Sequence, residues 1–229
     1  MGALEKAPIK WYTIVMLSLF TGCRRGELLG LEWSDIDFKK KRIQIRRTSQ
    51  YVNKHIITKS PKTKNGYRTI EISETAVSLL KSYRSWWLEQ RLLLGNLWKN
   101  EITIIDENNK KSEVKNERLF IKNDSTPMNP DSFTQWFSDF CKENEIGDFS
   151  PHALRHTTVS LLLADNTDLK TVSGIIGHAQ TSTTLNIYGH IIDSQKQQAA
   201  AKLDSRIKDL CNAQHSSTKQ NTKSDEITG

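Results

Sequence analysis

The chain has 229 residues, 36% hydrophobic and 26% charged, with a formal net charge of +7, which suits one well-buried core and a small appendage. No run reaches the roughly 20 apolar residues that a membrane span requires, and Ile14–Phe20, preceded by Trp11, Tyr12 and Glu5, is too short and too poorly flanked for an export signal. Cys23, Cys141 and Cys211 are odd in number, widely spaced and without metal-ligand rhythm, so they read as reduced thiols of a cytoplasmic protein.

Apolar residues at Ile9, Tyr12, Val15, Met16, Leu19 and Phe20 mark a first helix, ended by Gly22. A short helix over Arg25–Leu31 follows. Ile43, Ile45, Ile56, Ile70 and Ile72 then alternate with polar residues, which predicts one three-stranded antiparallel sheet over about 35–72, with Asn65-Gly66 as a hairpin tip. This meander carries the charge. From Lys39 to Arg68 there are 11 basic residues (Lys39, Lys40, Lys41, Arg42, Arg46, Arg47, Lys54, Lys59, Lys62, Lys64, Arg68) and no Asp or Glu, while acids outnumber bases elsewhere. A local patch of this kind suits a nucleic-acid backbone. The plainer alternative is a solvated, lysine-rich face.

Ser73-Glu74-Thr75-Ala76 opens a long helix to about Asn96, with Val77, Leu80, Tyr83, Trp87 and Leu94 inward. Residues 98–117 are polar, and Ile102, Ile104 and Ile105 suggest a strand or hairpin insertion. Leu119–Ile121 reads as a short strand. Helices are predicted from Pro130 to about Asn144 and from the cap Ser150-Pro151 onward. Two short ones follow at about 168–176 and 181–187. A last helix over 193–211 carries Ala199, Leu203, Ile207 and Leu210 on one stripe, and from Ala213 the polar tail is expected to be disordered. The class is α+β, mostly helical, with the three-stranded sheet at one edge.

Chemistry concentrates at five places. Arg24 stands at a helix entrance, where free N–H groups and a guanidinium fork suit phosphate oxygens; the alternative is that it only pairs with Glu27. His152, Arg155 and His156 share one face near a helix start, which is costly unless an anion sits there. Paired histidines also raise zinc, but no HExxH and no ligand-spaced Asp, Glu or Cys accompanies them, so no metal is expected. His156 is expected to pack inward. Lys62, in the outer hairpin, would bring an ammonium to a leaving oxygen, or else is simply solvated. His178 follows a helix-ending glycine, and Tyr188 is either a core residue or a nucleophile supported by clustered cations.

Taken in order, Thr21-Gly22-x-Arg24-x-x-Glu27, Lys62-Thr63, His152-x-x-Arg155-His156, Gly177-His178 and Tyr188 resemble the tyrosine recombinase (phage integrase) family over about residues 10–190. The stretch Thr183-Thr184-Leu185-Asn186-Ile187-Tyr188-Gly189-His190 looks like integrases of phages and conjugative transposons. The resemblance implies that Arg24 and Arg155 clamp a scissile phosphate, with Glu27 supporting the first arginine. It implies that Lys62 is the general acid for the 5′-oxygen, although Lys64 flanks the same turn. His152 would bind the phosphate and shuttle the tyrosine proton, His178 would be the second histidine, and Tyr188 the nucleophile. The implied activity is site-specific cutting and rejoining of duplex DNA at attachment sites through a 3′-phosphotyrosyl link, without a metal or other cofactor, for integration or excision of a phage or mobile element.

The same resemblance implies a homo-tetramer on DNA and accessory DNA-bending or directionality proteins. Lys39, Lys40, Lys41, Arg42, Arg46, Arg47, Lys59, Lys64 and Arg68 are the expected DNA contacts. Residues 1–190 would form the catalytic domain, 191–212 a helix docking on a neighbouring protomer or back on its own domain, and 213–229 the tail. Two departures stand out. Glu71 occupies a position where relatives commonly have proline, and the N-terminal core-binding domain of such proteins is not expected within these residues, so weak, salt-sensitive binding is expected. A type IB topoisomerase and a non-catalytic DNA-binding regulator remain the alternatives.

Overall fold

The computed structural model describes residues 2–53, 55–60, 67–106, 108, 110–177, 182, 185, 188 and 200–209. The chain divides into two compact units, Met1–Thr184 and Leu185–Gly229.

In the first unit, α1 (Gly2–Glu5), α2 (Ile9–Thr21) and α3 (Arg25–Leu29) lead into β1 (Ile36–Asp37) and β2 (Arg42–Ile45). The hairpin β3 (Thr48–Val52) and β4 (His55–Lys59), then β5 (Arg68–Glu71), precede the long α4 (Glu74–Leu94). A second hairpin, β6 (Glu101–Ile105) and β7 (Lys111–Lys115), comes before α5 (Pro130–Glu143), α6 (Pro151–Ala164) and α7 (Leu169–Ile176).

The predicted single meander is two sheets. β1, β2 and β5 form the three-stranded antiparallel sheet, pairing Ile36 with Ile43 and Ile43 with Ile70 so that the isoleucines face the core together. β3 and β4 leave it for a four-stranded sheet with β6 and β7, in which β4 and β6 run parallel. The break has a local cause. Arg46 and Arg47 interrupt the alternation after Ile45, and Arg47 turns back to donate to Asp35 at 2.6 Å and to the Gly30 carbonyl at 3.3 Å. The polar insertion at 98–117 is therefore the second half of this sheet.

Helix α2 packs against α4 and α6 and corrects the predicted stripe. Its buried residues are Thr13, Ile14, Val15, Leu17, Ser18 and Thr21, whereas Tyr12, Met16, Leu19 and Phe20 are only half-buried. Ser18 and Thr21 can go inside because their hydroxyls donate to the carbonyls of Ile14 (2.8 Å) and Leu17 (2.6 Å), one turn back. On α4, Val77, Leu80, Tyr83 and Trp87 are buried as expected. The Tyr83 hydroxyl and the Trp87 indole donate to the carbonyls of Leu119 and Arg118, both at 3.1 Å. That anchors a segment predicted as a strand, which makes only the isolated pairings Glu32–Arg118 and Ile121–Pro127.

In the second unit Leu185 and Tyr188 are helical and Tyr188 is buried. Residues 200–209 form a helix on which Leu203 and Ile207 are 62% and 50% exposed. Ala199, Leu210 and the predicted tail lie outside the described residues. Among the described residues no helix is long and apolar enough to cross a membrane.

Candidate active site

Helix α2 ends on Gly22 in the left-handed conformation (φ 58°), and a Cβ there would meet Ile176 Cδ1 at 2.4 Å. Only glycine suits both demands. The reversal it makes sets Arg24 at the N-cap of α3, with extended backbone. Glu27, one turn on, accepts from the Arg24 backbone N–H and from its Nη1, both at 2.9 Å. Glu27 is buried, and burial works against its charge. Hydrogen bonds and charge from Arg68, and then from Arg24, nevertheless hold its carboxyl below the ordinary range.

Arg155 projects from α6 and is 4% exposed. Its Nη1 donates to the carbonyls of Gly22 (2.6 Å) and Ile176 (2.9 Å), while its Nη2 is buried and has no hydrogen-bond partner among the described residues. Burial, then the neighbouring charge of Arg24, push this guanidinium down to about 10, so it stays cationic at neutral pH. His152 lies one turn earlier on α6, exposed, with its ring edge-on to His156 at 4.6 Å. Burial, then His156, Arg155 and Arg24, lower its pKa. The inward packing expected of His156 is half met, since it is half-buried.

Arg24, His152 and Arg155 line one hollow of about 220 Å³, closed on other sides by Cys23, Arg25, Thr134, Ser150 and Pro151. Arg25 is held at its edge by Asp131 (3.0 Å) and Thr134. The fold thus brings together Arg24, Glu27, His152 and Arg155, from positions up to 131 residues apart in the chain. Lys62, Lys64 and His178 lie outside the described residues, and Tyr188 belongs to the second unit.

The expected DNA-contact residues divide. Lys39 and Lys40 are exposed. Lys41 pairs with Glu74, Arg42 with Glu71 (2.7 Å), and Arg46 with Asp35 (3.7 Å). Arg47 and Arg68 are corrected outright as surface cations. Arg47 is tied to Glu32 and Asp35, and Arg68 is buried on Glu27. Carboxylates outside the basic window fold back onto it, which a linear charge count does not register. Two cations take places that no linear pattern marks. Arg68, expected as a DNA contact, instead holds Glu27 beside the hollow, and no local signal marks that role because Glu27 is 41 residues away. Arg118 is fully buried beside a larger groove of about 610 Å³, where its Nη1 and Nη2 are taken by Gly30 O (2.7 Å) and Thr58 Oγ1 (2.8 Å).

Comparison with known proteins agrees with this architecture. The phage integrase family matches residues 1–195. A tyrosine recombinase XerC-like protein of Caldanaerobacter subterraneus is 30% identical over 200 residues, covering 83% of this chain and 48% of its own. The ICEBs1 integrase of Bacillus subtilis is 29% identical over 194 residues, covering 85% and 48%. The chain therefore spans about half the length of these curated relatives. Among solved structures, the Tn1549 transposon integrase in complex with transposon right end DNA superposes with a TM-score of 0.66 at 23% identity, covering 87% of this chain and 63% of that one. XerA recombinase superposes at 0.62 and 24%, covering 86% and 60%. The fold is that of a tyrosine recombinase catalytic domain, and the chain belongs to the phage integrase family.

Proposed function

We propose that this chain cuts and rejoins duplex DNA as the catalytic part of a site-specific recombinase, serving integration or excision of a phage or mobile element. One observation carries the reading: a buried guanidinium nitrogen of Arg155, unpartnered among the described residues, in a hollow shared with Arg24 and His152. Leaving such a donor unpaired costs about 1–3 kcal/mol, and an incoming phosphate oxygen removes that cost. The relatives support DNA as the substrate, since the Tn1549 integrase is seen with transposon DNA.

In the reaction, Arg24 and Arg155 hold the non-bridging oxygens of the scissile phosphate and offset the charge that gathers on them. The Tyr188 oxygen attacks phosphorus as its proton passes to His152. The bond from phosphorus to the 5′-oxygen breaks, and Lys62, with Lys64 as the alternative in the same hairpin, supplies the proton that oxygen takes up. A 3′-phosphotyrosyl ester and a free 5′-hydroxyl result. The ester conserves the bond energy, so attack by a 5′-hydroxyl reverses the step without a nucleotide cofactor. Duplex attachment sites, a homo-tetramer with accessory DNA-bending or directionality proteins, and a cytoplasmic setting complete the proposal. Exposed Leu203 and Ile207 support helix 200–209 as the protomer contact.

The deciding experiment incubates the chain with a nicked duplex taken from the junction of the DNA element that encodes it. A covalent protein–DNA species is expected, and Tyr188→Phe removes it while leaving binding largely intact. An adduct surviving that change overturns the nucleophile assignment. Relaxation of supercoils without exchange between two duplexes would favour a topoisomerase, and salt-sensitive binding with no adduct a regulator.

A further inference from the structure

Arg68 opens β5 with its side chain 7% exposed. A buried guanidinium must satisfy several rigidly placed N–H groups, and this one does so on two distant segments at once. Nη1 and Nη2 meet the two carboxylate oxygens of Glu27 side by side at 3.1 and 2.8 Å, while Nε donates to the Ile175 carbonyl at 2.8 Å, in the last turn of α7. Gly177 then closes α7 with φ 73°, against the face of the same group. A Cβ at Gly177 would lie 2.8 Å from Arg68 Nη1, 2.9 Å from Cζ and 3.0 Å from Nε. The guanidinium is thus laid flat between an acidic side chain and a three-residue stretch of backbone.

Both arginines of the hollow depend on that joint. Arg24 donates Nη1 to Glu27 at 2.9 Å and Nη2 to the Gly177 carbonyl at 3.3 Å. Arg155 donates Nη1 to the carbonyl of Ile176, the residue between the two that Arg68 touches. Arg68 itself does not line the hollow. It therefore reaches the site through the groups that orient Arg24 and Arg155, not through any contact of its own with what the hollow holds.

We propose that Arg68 is the positioning residue of the phosphate clamp, setting the separation of the Arg24 and Arg155 guanidinium groups by locking Glu27 to residues 175–177. The proposal rests on the recombinase reading above and goes beyond it by assigning the clamp's geometry to a residue outside the hollow. Lysine cannot replace it: a single ammonium keeps the charge beside Glu27 but cannot span two carboxylate oxygens and a carbonyl on the opposite side. Gly177 has a matching requirement, because any side chain there would push the guanidinium out of its plane.

The test uses the full 229-residue chain with two nicked probes of identical sequence from its own element's junction. One carries an ordinary scissile phosphate, the other a methylphosphonate, which lacks the charged oxygen that the clamp must stabilise. For Arg68→Lys, cleavage of the phosphate probe is expected to fall about 10²-fold and that of the neutral probe by no more than about threefold, with binding little changed. Gly177→Ala, which displaces Arg68 from the other side, is expected to show the same selective loss. It carries the comparison if Arg68→Lys shows no cooperative melt. Equal losses on both probes, or no loss on either, overturn the positioning role while wild-type adduct formation leaves the recombinase reading standing. A wild-type chain that forms no adduct overturns both.

Discussion

At Arg155 the guanidinium is divided unequally: one terminal nitrogen donates to two carbonyls, and the other has no partner among the described residues. Folding alone would not favour that arrangement, and the proposed phosphate would complete it. His152 reports on the same field, because burial and three nearby cations or rings lower its pKa. In the free protein its NMR titration midpoint is expected below 6.5, and inorganic phosphate should raise it by offsetting Arg24 and Arg155. The sign for stability follows. A folded-state value below the unfolded one means the unfolded chain binds this proton more tightly, so His152 weakens the fold as pH drops through the interval between the two values. Above the unfolded value it has no such effect. A midpoint that phosphate lowers or leaves in place would separate His152 from the proposed anion site. Arg24, Glu27, His152 and Arg155 were all legible beforehand, since helix caps and i, i+3 spacings are local. Arg68 was read only as a DNA contact, because nothing within several residues of it reveals that Glu27 and the end of α7 meet there.

At the scale of elements, periodicity and caps placed the helices of the first unit from Ile9 to Ile176 well. Ser73 accepts from the Ala76 N–H at 3.3 Å, and Asn129 with Pro130 opens α5 as such residues should. The sheet was harder. Alternating isoleucines identify strands but not their partners, and a hairpin that changes sheets carries the same pattern as one that stays. The stripe of α2 misled for a related reason, since serine and threonine hydroxyls satisfied within the helix turn polar positions into core positions. Helix 200–209 shows Leu203 and Ile207 on its exposed surface. Deleting it is expected to reduce the size of the DNA-bound assembly, read by light scattering, while adduct formation on a nicked probe persists. An unchanged assembly would assign the helix to its own domain.

Over the whole molecule the charge reading needed the most revision. Of the eleven bases between Lys39 and Arg68, Lys54, Lys62 and Lys64 lie outside the described residues, and five of the other eight (Lys41, Arg42, Arg46, Arg47 and Arg68) are ion-paired with carboxylates that lie outside that window. Exposed Lys39 and Lys40 are the freer counterions for a phosphate backbone. Replacing both by glutamine is expected to flatten the dependence of log K on log salt by about two, whereas Arg42→Gln with Glu71→Gln should leave it nearly unchanged. Equal effects from the two double variants would restore the simple patch. The sequence by itself determined the family, the helices of the first unit, the strand-forming segments and most cations of the candidate site, because each is written in spacings of a few residues. Tertiary structure alone decided which charges cancel, which strands share a sheet, and which residue joins Glu27 to the end of α7. Those outcomes depend on partners 29, 41 and 107 positions apart in the chain, where Coulomb attraction and hydrogen bonding act through space and no linear pattern records them.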